Sequence, residues 1–151
     1  MNHKNVVKKM EASKDTVKVV HEILKQYAQA YADKDMERMI KLFSPDPDLV
    51  AIGAGRDEWV KGPEELKKGF QRDMNQADDI KVDFEDVTVS SSGNVAWASA
   101  QMNLNVKVEG QEITMPGRVS FVFEERNNNW LINHLHFSVP DEQEEGKSYP
   151  V

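Results

Sequence analysis

The sequence predicts an α+β fold, with three helices from the N-terminal half packed on one face of a strongly bent, mainly antiparallel sheet. Three observations carry this. Apolar residues recur at helical spacing in three stretches of the first half. The second half alternates with period two through four longer stretches separated by turn residues. The alternation then slips by one residue near Glu85-Asp86, as a bulge or sharp bend requires. Helices gathered on one side of an antiparallel sheet define the class. A bent sheet closing over helices leaves a conical cavity, a natural place for a small molecule.

The elements follow in order. Residues 1–12 are polar and read as an N-terminal extension. Ser13 or Asp15 caps a first helix in which Val17, Val20, Leu24, Tyr27, Ala28 and Tyr31 share a face up to Ala32. Asp35 caps a short second helix with Met36, Met39, Ile40 and Phe43 inward, and Ser44-Pro45-Asp46-Pro47 ends it. Leu49–Ile52 and Glu58–Lys61 are short strands. Gly62-Pro63-Glu64-Glu65 opens a third helix, with proline at its first position and acids near the positive end of its dipole. Leu66, Phe70 and Met74 form its buried side, and Gly69 is expected to let a neighbour approach closely.

Four strands remain. The first begins at Ile80 and ends at a turn over Ser90–Asn94. Val95–Val108 is one long strand with two unlike faces: an alanine-rich file from Ala96, and a file of Val95, Trp97, Ser99, Gln101, Asn103 and Asn105. Glu109-Gly110 is a tight hairpin turn. The next strand is expected to break at Pro116-Gly117 and resume over Arg118–Glu124. Asn127–Asn129 leads into the last strand, Trp130–Ser138. Residues 13–140 thus read as one domain, followed by an acidic tail over 141–151.

Composition narrows the function classes. A net charge of -7 argues against a nucleic-acid partner and against anionic membranes. Without cysteine there is no disulfide, thiolate nucleophile or cysteine-ligated metal. No stretch reaches transmembrane length and no signal peptide is recognisable, so a cytoplasmic protein is expected.

The chain resembles the SnoaL-like branch of the nuclear transport factor 2-like superfamily over residues 15–140. The resemblance rests on Tyr27-Ala28-Gln29-Ala30-Tyr31 with Lys34-Asp35, on Gly62-Pro63-Glu64-Glu65-Leu66, on Arg118–Phe123, and on Trp130 with His134–Pro140. The ending is similar to the association domain of calcium/calmodulin-dependent kinase II. The resemblance implies a cone-shaped fold, a homodimer or larger assembly, and a pocket between helices and sheet. It implies that Trp97, Ser99, Gln101, Phe121, Asn133 and Phe137 line that pocket, and that His134, His136 and Ser138 lie on the opposite face used for dimerisation. The pocket arginines of the kinase association domain fall on Phe121, Phe137 and near Ser99, none of them basic. No carboxylate stands at a clearly pocket-facing strand position, as the ketosteroid-isomerase-like relatives would need.

Tyr27 is expected in the pocket, and Trp59 and Trp97 are candidate stacking surfaces for an aromatic or steroid-like ligand, or core filling. Arg118 is read as an interface or edge ion pair. His134 and His136 point the same way, but no third ligand completes a metal site, so no metal and no cofactor is expected. The reading leans away from an enzyme: a homodimeric small-molecule-binding or assembly module with an apolar, amide-lined pocket. The alternative is an isomerase or lyase acting on a small hydrophobic substrate, with a histidine or bound water as base.

Overall fold

The computed structural model describes residues 11–141; all but Asp141 of the expected acidic tail and all but Glu11 and Ala12 of the N-terminal extension lie outside them. Helix α1 (Lys14–Ala32) starts at Ser13, whose hydroxyl accepts from the Thr16 amide. Helix α2 (Met36–Ile40) starts at Asp35, whose carboxylate accepts from the Arg38 amide at 3.1 Å. Strands β1 (Val50–Ile52) and β2 (Trp59–Lys61) flank a loop, and β2 runs directly into helix α3 (Gly62–Gln76). Gly62 takes a φ of 82°, which favours glycine, and Pro63 follows in the first turn.

Four long strands follow: β3 (Asp79–Ser92), β4 (Val95–Val108), β5 (Gln111–Arg126) and β6 (Asn129–Ser138). With β1 and β2 they form, among the described residues, a six-stranded sheet in the order β2-β1-β6-β5-β4-β3. All neighbours are antiparallel except β1 and β6, which run parallel. The fold is α+β, with the helices packed on a curled sheet that does not close. The β3–β4 register shifts between Glu85 and Thr88, at the bend expected there.

Two boundaries differ from expectation. The turn after β3 is only Gly93-Asn94, because the serines before it pair with Val95–Trp97. And β5 runs unbroken through Pro116-Gly117. Its pairing with β6 ends at Arg118–Ser138, so a proline at 116 removes no ladder bond on that side.

The core is aromatic. Tyr27 of α1 lies with its ring 5.3 Å from Tyr31, 6.2 Å from Phe70 of α3 and 5.8 Å from Phe121 of β5. Small residues make room for large ones: Ala98 pairs with Phe121, and Ala96 with Phe123. That pairing turns the alanine file of β4 inward, where Ala96, Ala98 and Met102 are buried. At the far end, Arg126 clamps the chain before β1 to the sheet. It donates to Asp46 and Glu124, and Asn133 donates to the same Glu124 at 2.7 Å. Among the described residues no helix is long and apolar enough to cross a membrane.

Candidate functional site

A cavity of about 310 Å³ opens between α3, the β1–β2 end of the sheet and the β4–β5 hairpin. That is the low end of the range for small-molecule pockets. Leu104, Val106, Val108 and Met115 of the hairpin form one apolar wall, and Leu135 and Phe137 of β6 another. Polarity is gathered on one side, where Tyr27 and Tyr31 of α1 meet Arg72 and Asp73 of α3 and Glu58 of the loop.

Asp73 reaches this position through helical periodicity. It stands seven residues after Leu66 and three after Phe70, within the stripe that α3 turns inward. The Tyr31 hydroxyl donates to it at 3.4 Å, long for an O–H···O bond. The Tyr27 ring meets Tyr31 edge-on at 5.3 Å, so a second phenol stands beside this pair. Burial pushes both phenols above their ordinary pKa, which keeps them protonated donors. Burial also raises the Asp73 carboxyl, and the Glu58 charge adds to this. Arg72 and the Tyr31 hydroxyl hold part of the rise back.

Arg72 gathers the acids at the rim. Its guanidinium lies 3.5 Å from Asp57, 3.5 Å from Glu58 and 3.9 Å from Asp73. Three carboxylates therefore share one cation, and the rim is net negative. The Glu58 side chain folds over the loop glycines: a Cβ on Gly53 would fall 1.8 Å from its carboxylate oxygen. A larger residue at 53 would displace Glu58 from the cavity wall.

Of the residues expected to line a pocket, Tyr27 and Phe137 line this cavity and the other six do not. Trp59 is 67% exposed, on the outside of β2. Trp97, Ser99 and Gln101 belong to the outward file of β4, the opposite of the phase expected for them. Phe121 is inward but wholly buried in the aromatic core. Asn133 is displaced by a bulge: Val122 pairs with His134 while Phe123 pairs with Ile132, leaving Asn133 as the extra residue. Ile132 takes the buried place instead.

The residues expected at a dimer interface lie together on the outer face. Strand pairing places Trp97 beside Val122 and His134, Ser99 beside Ser120 and His136, and Gln101 beside Arg118 and Ser138. Arg118 donates to the Ser138 hydroxyl at 3.4 Å. Neither His134 nor His136 lines the cavity. Among the described residues no three His, Cys, Asp or Glu side chains group as metal ligands.

Sequence reasoning sought the pocket acids on strands and missed Asp73 and Glu58, which come from a helix and a loop. The signal was present for Asp73: a charged residue set inside the Leu66–Phe70–Met74 stripe.

Solved structures share this architecture. A nuclear transport factor 2-like superfamily protein from Salmonella enterica superposes with a TM-score of 0.79 at 21% identity, covering 91% of this chain and 100% of that one. A candidate calcium/calmodulin-dependent protein kinase II association domain from Xanthomonas campestris gives 0.72 at 21% identity, over 82% and 86% of the two chains. A candidate scytalone dehydratase from Novosphingobium aromaticivorans gives 0.75 at 8% identity, over 84% and 85%. At these identities the likeness is one of fold. No curated protein matches the sequence. The SnoaL-like domain profile matches residues 20–142, most of the length of the chain. The curled sheet, the helices in its concavity and this match agree, and the chain belongs to the SnoaL-like domain family.

Proposed function

We propose that the protein is a homodimeric binding protein for a small, uncharged, largely apolar molecule carrying one hydroxyl or carbonyl oxygen. The observation that carries this is the division of the cavity: apolar walls on the hairpin and β6, and one polar corner at Tyr31–Asp73. Apolar walls favour a ligand that gives up water there. A buried donor–acceptor corner orients its single polar group. The rim, with three carboxylates around Arg72, disfavours a carboxylate ligand. The outer sheet face, where Trp97, Val122 and His134 are only half-buried, is the surface for a second copy.

The test is a set of molecules with one body and different heads: 1-indanone, 1-indanol and indane-1-carboxylate. A ligand that binds only the folded state raises the melting temperature. The ketone and alcohol are expected to do so in a dose-dependent way, and the carboxylate least. A carboxylate that stabilises most, or no shift from any of the three, contradicts the reading.

One observation favours a second reading, an isomerase or lyase. Asp73 is a carboxylate of raised pKa facing a cavity with apolar walls, beside a neutral phenol. Asp73 would take a proton from carbon next to a carbonyl. Tyr31, released from a now protonated Asp73, would donate to the enolate oxygen, and Asp73 would return the proton at a second carbon. Exchange of the α-protons of 1-indanone into deuterated water, followed by proton NMR, tests it. Exchange that disappears in Asp73→Asn supports this reading; exchange equal in both proteins removes it.

A further inference from the structure

The face that α3 turns to the cavity has a gap. Gly69 lies between Leu66 and Phe70 on the cavity wall, one helical turn before Asp73. Glycine is the poorest helix former after proline, so its place inside a helix asks for a reason. The backbone supplies none, because Gly69 is absent from the glycines with positive φ. Close packing supplies none either. The expected close neighbour is missing: beyond its adjoining residues and the surrounding helix backbone, a Cβ on Gly69 would meet no atom within 4 Å. Gly117 shows the contrast, since a Cβ there would fall 2.1 Å from the Phe137 ring. The space over Gly69 is therefore not used by the fold, and it opens on the cavity beside the polar corner.

We propose that Gly69 is the specificity-determining position of the cavity: the ring body of the ligand lies across the bare backbone of α3 at Gly69, with its oxygen directed to Tyr31 and Asp73. This rests on the reading of the cavity as a site for an uncharged apolar molecule, and it narrows that class to ketones or alcohols built on one or two rings. A side chain at 69 occupies the place of the ring. A narrow, linear ligand can pass beside it.

The experiment uses two neutral ketones. One is 6-propionyl-2-dimethylaminonaphthalene, a two-ring dye whose emission reports the polarity around it. The other is linear 2-hexanone, followed by calorimetry. Each is titrated into the wild type, Gly69→Ala, Gly69→Leu and Lys68→Leu; the last places the same leucine on the exposed neighbouring position. Gly69→Leu is expected to weaken the dye about tenfold or more and the linear ketone far less. Gly69→Ala falls between, and Lys68→Leu matches the wild type. Thermal melts without ligand are expected to stay at or above the wild type for Gly69→Ala, since alanine is the better helix former. Should Gly69→Leu not fold, the alanine variant carries the comparison. Wild-type affinity for the dye in the Gly69 variants, or equal losses for both ketones, overturns the proposal while leaving the cavity as a site. If the wild type binds neither ketone, the reading of the cavity fails first, and the proposal with it.

Discussion

The Tyr31 hydroxyl donates to the Asp73 carboxylate across 42 residues of sequence, at the polar corner of the cavity. The bond joins α1 to α3. The burial of Asp73 makes folding sensitive to pH. Burial and the Glu58 charge raise the Asp73 carboxyl above its unfolded value, so the folded protein holds this proton more tightly than the unfolded chain. Stability from this group is therefore greatest below the unfolded pKa and falls as pH rises through the folded one. Asp73→Asn removes that slope. Melting curves from about pH 4 to about pH 7 should show the wild type losing stability relative to the variant. Parallel curves would mean that Asp73 is not raised.

Arg126 gives the opposite dependence. Its guanidinium holds Asp46 and Glu124 below the usual carboxylate range, with Asn133 assisting at Glu124. The resulting stability is present above the unfolded pKa values and is lost as pH falls through the lowered ones. Arg126→Met should therefore unfold at a higher pH than the wild type on acidification, as followed by circular dichroism. Identical acid transitions would show that the clamp contributes nothing.

Gly117 is needed for a different reason from Gly69. A methyl group there collides with the Phe137 ring, which forms part of the cavity wall. Gly117→Ala should cost about 1–3 kcal/mol in denaturant unfolding, the usual range for overpacking. Phe137→Leu should recover part of the loss when combined with it, because the two sites share one contact. Additive losses in the double variant would place the strain elsewhere.

The outer face offers a test of assembly. Ser120 stands at its centre, paired with Ser99 and His136. Ser120→Glu puts a charge into any interface formed there, while leaving the cavity face of β5 unchanged. Sedimentation equilibrium should find a dimer for the wild type and a monomer for the variant. A wild-type monomer, or a dimer that tolerates the glutamate, removes this face as the contact.

Much of the fold is legible in the chain, and less of the site. Helical spacing marks α1 to α3, alternation marks the four long strands, and Asp35, Gly62-Pro63 and Glu109-Gly110 mark the boundaries through local chemistry alone. A strand's parity is harder. Alternation identifies β4, but the file with Trp97 and the file with Ala96 are both partly apolar. The inner one is decided across strands, by Phe121 and Phe123 needing alanines beside them. The bulge that displaces Asn133 depends on the pairing of β5 with β6, which no single strand displays. Asp73 is the instructive case. On α3 it reads as one more helix-surface charge until the stripe from Leu66 is extended through it.

The most direct measurement of the central claim is an isotope-filtered NMR experiment on the protein with 1-indanone. The account predicts contacts between the indanone protons and the methyl groups of Leu104, Val106 and Val108, together with the Tyr31 ring, and their loss on blocking the cavity with Gly69→Leu. Contacts to Trp97 and Val122 on the outer face instead, or no contacts at saturating ligand, would contradict it.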